Sequence, residues 1–168
     1  GNDVATFVWQ PRTPMLRKLC ALALTLVGSL SAQDPRDLSV PTGHITLTAT
    51  TSATITTQIN NGYRLTDLEY RGTLFGTPIW DAVFVQNSGS YSTGWWWYTG
   101  ITSAQVSSYI NSNHARLIDL QPYDDGAGNT RFACIMVDNT GANAKSWWWT
   151  YNTTTTSISN LSSTNNAR

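Results

Sequence analysis

The residues most able to do chemistry in this chain are six tryptophans in two runs, Trp95-Trp96-Trp97 and Trp147-Trp148-Trp149. On a strand, alternation places Trp95 and Trp97 on one face and Trp96 on the other, and likewise Trp147 and Trp149 against Trp148. Exposed indoles stack on sugar rings or peptide planes and donate their N–H groups, so these six are the candidate binding residues. The competing reading is that all six fill the interface between packed units. A second recurring set is Arg64 with Asp67 and Arg116 with Asp119, read as structural ion pairs that hold one unit to the next.

Catalytic constellations are not found. Activation of a β-lactamase-type serine requires Ser-x-x-Lys, but Lys145, the lysine beyond residue 32, follows Ala142 at that spacing. Ser90-Tyr91-Ser92-Thr93-Gly94 lacks the first glycine of Gly-x-Ser-x-Gly. Two scattered histidines, His44 and His114, support neither a Ser-His-Asp triad nor a zinc site. Asp124-Asp125-Gly126 resembles a fragment of a calcium loop but lacks the spaced carboxylates and closing Glu, and reads as a turn. The expectation is a non-enzyme with no metal and no cofactor.

The elements that position the tryptophans are set by an internal repeat. Sliding the chain by 52 residues lays Arg64-Leu65-Thr66-Asp67-Leu68 on Arg116-Leu117-Ile118-Asp119-Leu120, Asn87-Ser88-Gly89 on Asn139-Thr140-Gly141, and one Trp triplet on the other. Residues 64–115 match 116–167 at 15 of 52 positions, which makes the duplication secure. Residues 50–63 read as the C-terminal part of a preceding unit, and residue 168 as the start of a truncated third. Within each unit, Arg64–Tyr70 is a strand candidate, followed by a turn at Gly72–Pro78 or, in the second copy, at 124–129. Ile79–Gln86 and Arg131–Asp138 are apolar on both alternations, as in a strand covered on both faces. Asn87-Ser88-Gly89 and Asn139-Thr140-Gly141 have hairpin-turn chemistry, and the Trp strands close each unit. A helix follows: Thr102-Ser103-Ala104-Gln105 fits a capping box, with Val106, Tyr109 and Ile110 on one stripe. Its second copy, Thr154–Ser163, is weakened by hydroxyl residues. The fold class is therefore α+β: each unit of about 52 residues is a three-stranded antiparallel sheet plus one helix, with units stacked. A β-propeller-like array is the alternative.

Composition fits an extracellular β-rich protein. Thr and Ser number 25 and 16 of 168 residues, Trp numbers 8, and 12% of residues are charged. Ten basic residues balance ten acidic ones, which excludes a basic nucleic-acid binder. From Met15 the chain reads as a secretory signal, with Arg17 and Lys18, an apolar run over Leu19–Val27 and small residues to Ala32. The run is too short to span a bilayer. The organisation expected is an upstream extension or fragment scar over 1–14, a signal peptide over 15–32, a linker or edge strand over 33–49, then the repeats. Seven basic and nine acidic residues follow residue 32. Cys20 falls in the signal, leaving Cys134 as a buried thiol in an apolar strand. Asn152-Thr153-Thr154 and Asn160-Leu161-Ser162 are glycosylation sequons where the host is eukaryotic.

The order Arg-Leu-x-Asp-Leu, turn, apolar strand, Asn-x-Gly, Trp strand, Thr-x-x-Gln helix resembles the bacterial tandem repeat family. These are secreted repeats of comparable length, similar to the N-terminal repeat region of fungal polyglycine hydrolases. Gly62-Tyr63-Arg64-Leu65 and Thr130-Arg131-Phe132-Ala133 carry the likeness best, and it covers roughly residues 50–168. His114-Ala115 and Asn166-Ala167 depart from the Gly-Tyr that precedes the repeat Arg. Repeats of this family often precede a serine hydrolase domain, so the resemblance implies an accessory role. The reading is a secreted, extracellular or periplasmic, non-catalytic module that binds a cell-wall glycan or a peptide. The alternatives are the accessory region of a hydrolase whose catalytic domain lies beyond residue 168, and a structural spacer or adhesin array. Partners would be that glycan or peptide and further repeats of the chain, with no nucleic acid and no membrane span.

Overall fold

A computed structural model describes the backbone of residues 5–10 and the full residues 43–89 and 92–167. The signal-like segment 15–32, with Cys20, lies outside the described residues, as do most of the linker and residue 168. Among the described residues eight strands and three α-helices run in the order β1 (Ala5–Gln10), β2 (His44–Thr51), α1 (Ser52–Asn60), β3 (Tyr63–Leu74), β4 (Thr77–Gln86), β5 (Trp95–Ile101), α2 (Ser103–Ser112), β6 (Ala115–Asp124), β7 (Thr130–Asp138), β8 (Ser146–Tyr151) and α3 (Thr155–Asn165). They form two antiparallel three-stranded sheets, ordered β2-β4-β3 and β5-β7-β6, and a two-stranded pair, β1-β8. The α+β class holds. Propeller blades have four strands, whereas each sheet here has three and a helix on one face.

The helices start where the sequence places a hydroxyl. Thr51, Thr102 and Thr154 are extended, and each accepts a hydrogen bond from the backbone N–H three residues on. At α2 the Gln105 side chain returns a bond to the Thr102 N–H, completing the capping box. After each helix comes a left-handed residue: Gly62 (φ 89°), His114 (φ 48°) and Asn166 (φ 50°). The His114 and Asn166 departures from the repeat pattern therefore occupy a site whose backbone favours glycine.

Two expectations are corrected. Asn87-Ser88-Gly89 and Asn139-Thr140-Gly141 do not turn hairpins. β4 does not pair with β5; β5 pairs with β7, from the next copy of the repeat. The Trp strand thus opens the next sheet instead of closing its own, and the sheet runs out of phase with the Arg-to-Arg repeat. β2, from the segment read as linker and preceding unit, occupies the same edge position in the first sheet. The second difference is at the N-terminus, where residues 5–10, given no role by the sequence, pair along the outer Trp strand β8.

Alternation builds two cores. In β4, Trp80, Ala82 and Phe84 face inward with Leu65, Leu68 and Ile55 of α1. In β7, Phe132, Cys134 and Met136 do the same with Leu117, Leu120 and Val106 of α2. The opposite face of β7 is also buried: Ala133 and Ile135 belong to the first core. The second sheet therefore lies with its back on the front of the first. On β4 the corresponding residues Val83 and Val85 are only half-buried, because no described segment covers the back of the first sheet. Identical patterning yields different burial according to whether a neighbour is present.

Candidate functional site

Among the described residues β5 is an edge strand of its sheet. Trp95, Trp96, Trp97 and Tyr98, with Ile59 of α1, line an open groove of about 310 Å³. Trp95 and Trp97 lean on the first core, whereas Trp96 leans on the second. Trp147 and Trp149 also pack against the second core, from β8. All six triplet tryptophans are half-buried, Trp148 included. The strand is not split into a buried and an open face; each indole packs along part of its surface and presents the rest. Tyr98 fixes the groove's far end, stacked on Tyr109 at 4.0 Å with planes 3° apart and accepting a bond from Asn113 Nδ2 at 2.9 Å.

The loops leading into both Trp strands are braced alike. Asn87 Oδ1 accepts from Thr93 N at 3.1 Å while its Nδ2 donates to Thr93 O at 3.2 Å. Asn139 repeats the pattern on Lys145, at 2.8 and 3.1 Å. One side-chain amide thus satisfies a backbone donor and acceptor six residues ahead, which explains why Asn recurs at the repeat spacing. Replacing Asn139 with alanine strands both groups, and the expected cost is about 1–3 kcal/mol in urea denaturation.

The Arg and Asp residues do not pair with each other. Among the described residues the ion pairs are Arg71 with Asp81 (2.7 Å) and Arg131 with Asp125 (3.1 Å). Asp67 is exposed. Asp119 reaches across to the neighbouring sheet instead, where its Oδ2 accepts from Leu68 N at 2.8 Å and Oδ1 from Gln121 Nε2 at 3.3 Å. β3 is an edge strand, so its outward amides need partners, and a carboxylate from the next sheet supplies one. Burial, with a contribution from the charge of Asp67, pushes the Asp119 carboxyl up to about 6 despite those bonds. Arg64 and Arg116 turn into a separate cavity with Lys145, which sequence reasoning missed as a site residue. The signal for it was the arginine recurring at the repeat spacing.

The remaining candidates are structural. Asp125 folds its own loop by accepting from Ala127 N, Asn129 N and Arg131 Nε, the work of a turn-forming aspartate. Among the described residues no group of three His, Cys, Asp or Glu side chains could hold a metal ion, and no helix is long and apolar enough to cross a membrane. Burial drives the Cys134 thiol up to about 12, aided by the nearby Asp119, so it has little thiolate character at neutral pH. Asn152 and Asn160 of the sequons are both exposed.

Comparison with known families gives one match. Residues 92–139 match the family described as polyglycine hydrolase-like, structural repeat. The matched stretch starts just before β5 and ends just after β7, so it has the phase of the sheet. It bears out the resemblance read from the residues. No curated protein and no solved structure matches the chain.

Proposed function

We propose that this chain is a non-catalytic, extracellular repeat module that binds a cell-wall glycan or a peptide along its Trp strand. The observation that carries the reading is the groove of Ile59, Trp95, Trp96, Trp97 and Tyr98, in which half-buried indoles are held in place yet keep open surface for a ligand. Aromatic faces of this kind accept the apolar faces of sugar rings and the planes of peptide bonds, while the indole N–H groups supply direction. The half-buried back of the first sheet and the edge strand of each sheet support units stacked in a longer array, each new Trp strand opening the next sheet. The character of the matched family, a polyglycine hydrolase-like structural repeat, favours a second reading. In it the array is the accessory region of a secreted hydrolase and holds the substrate of a catalytic domain elsewhere in the protein.

Titration of intrinsic Trp fluorescence with chitin, cellulose and peptidoglycan oligosaccharides and with glycine-rich peptides tests the groove. The expected result is a saturable shift with one of these, lost in Trp96→Ala while circular dichroism is unchanged. Trp96→Phe, which keeps an aromatic face, should retain part of the response. No shift with any ligand would leave the triplets as packing residues. A response to glycine-rich peptides alone would favour the accessory reading over glycan binding.

A further inference from the structure

We propose that the cavity between Arg64, Arg116 and Lys145 binds a small oxyanion, a carboxylate or phosphate group, at the junction of the two repeats. The cavity holds about 320 Å³ and is walled by these three cations with Ser92, Thr93, Ile118, Val137, Asp138, Ala142 and Asn143. The described residues include five Lys and Arg side chains in all. Two of them, Arg71 and Arg131, are neutralised in ion pairs on the sheet margins. The other three converge here.

The balance of charge inside the cavity is one-sided. Its single carboxylate, Asp138, is already engaged by Thr140 Oγ1 at 2.8 Å and Asn143 Nδ2 at 3.0 Å. The Nε atoms of both Arg64 and Arg116 are buried and have no hydrogen-bond partner among the described residues. A buried guanidinium N–H without an acceptor is costly, and two like charges facing one cavity add to the cost. Burial lowers the affinity of both groups for their protons, and no neighbouring carboxylate counters it. An oxyanion in the cavity balances this charge: its oxygens accept from the terminal N–H groups of the two guanidiniums, and Lys145 adds a third positive charge. The site is a product of the repeat. Arg64 and Arg116 are equivalent residues of successive copies, and the loops that supply Thr93 and Lys145 are the two braced by Asn87 and Asn139. No single copy contains it.

Isothermal titration of the purified chain with sodium D-glucuronate, with inorganic phosphate and with glucose, at constant ionic strength, tests the proposal. Saturable one-to-one binding of either anion, with glucose silent, is the expected result, and whichever anion binds identifies the source of the oxyanion. Arg116→Gln and Lys145→Met should each weaken binding by about tenfold or more, and Arg131→Gln, outside the cavity, should leave it unchanged. The bonds made by Lys145 to Asn139 come from its backbone, so Lys145→Met keeps the loop intact should Arg116→Gln fail to fold. Absence of binding by both anions overturns the site, and so does binding that survives Lys145→Met and Arg116→Gln undiminished. The readout is heat, not indole emission, so it is independent of the Trp groove.

Discussion

Replacing Ile135 with alanine is expected to cost about 2–5 kcal/mol and to loosen the first sheet as much as the second. The magnitude follows from complete burial: Ile135 has no exposed surface, and a cavity at such a site collapses only in part. Its location makes the result informative. Ile135 belongs to the second sheet by backbone pairing, opposite Trp97 and Asp119, but its side chain lies in the core formed by Leu65, Leu68, Trp80 and Phe84 of the first. Two independently stable units joined by a linker would confine the damage to residues 95–138. One continuous stack spreads it. The discriminating measurement is native-state hydrogen exchange at the Leu68 amide, which lies in the first sheet and is bonded across the interface to Asp119. Its opening free energy should fall together with global stability in Ile135→Ala. An unchanged Leu68 amide, with protection lost only in β5–β7, would overturn the continuous stack.

That interface also marks the limit of what the sequence makes legible. The β7 segment Phe132–Val137 is apolar on both alternations, and every residue of it is buried. Its counterpart Ile79–Val85 has the same pattern, yet buries one face only. Patterning reports the environment a strand is built for; which neighbour provides it depends on contacts distant in sequence. For the same reason β5 and β8 were recognisable as strands, while their partners, the apolar strand of the next copy for β5 and residues 5–10 for β8, were not. The capped helix was legible because its determinants are local: a threonine, a glutamine three residues on, and the apolar stripe of Val106, Tyr109 and Ile110. The Arg and Asp pairing failed on geometry. A register shift between Leu117 and Asp119 aims the carboxylate at the edge amide of Leu68, and Arg116 is left to a cavity that forms only once both copies are folded.

A fall in stability as pH rises from about 4 to 7, abolished in Asp119→Asn, is the second expected result of large size. Asp119 sits between the sheets, where burial raises its carboxyl to about 6 from an ordinary value of 3.8. The folded protein then holds a proton that the unfolded chain has released, and stability declines wherever the folded state binds more protons. The contribution is fully present below pH 4 and is lost as pH passes through 6, a difference on the order of 2–3 kcal/mol. The groups facing Asp119 account for the direction. Leu68 N–H and Gln121 favour the carboxylate, but Asp67 opposes it and burial outweighs them all. Asp81, Asp125 and Asp138 act in the opposite sense, since backbone and side-chain donors hold their carboxyls below the usual range. They produce a separate loss of stability as pH falls below about 4. The wild-type profile should therefore peak near pH 4–5. In Asp119→Asn the side-chain oxygen still accepts from Leu68 N, and a reoriented Gln121 can accept from the new amide. The neutral-pH limb should flatten, with the variant more stable than wild type at pH 7 and the acid limb unchanged. Urea denaturation at unit intervals from pH 3 to 8 measures both limbs, and parallel profiles for the two proteins would show that the carboxylate is better solvated than its place between the sheets implies. The bond to Leu68 would then be a contact between rigid sheets, with no energetic penalty attached to the charge that makes it.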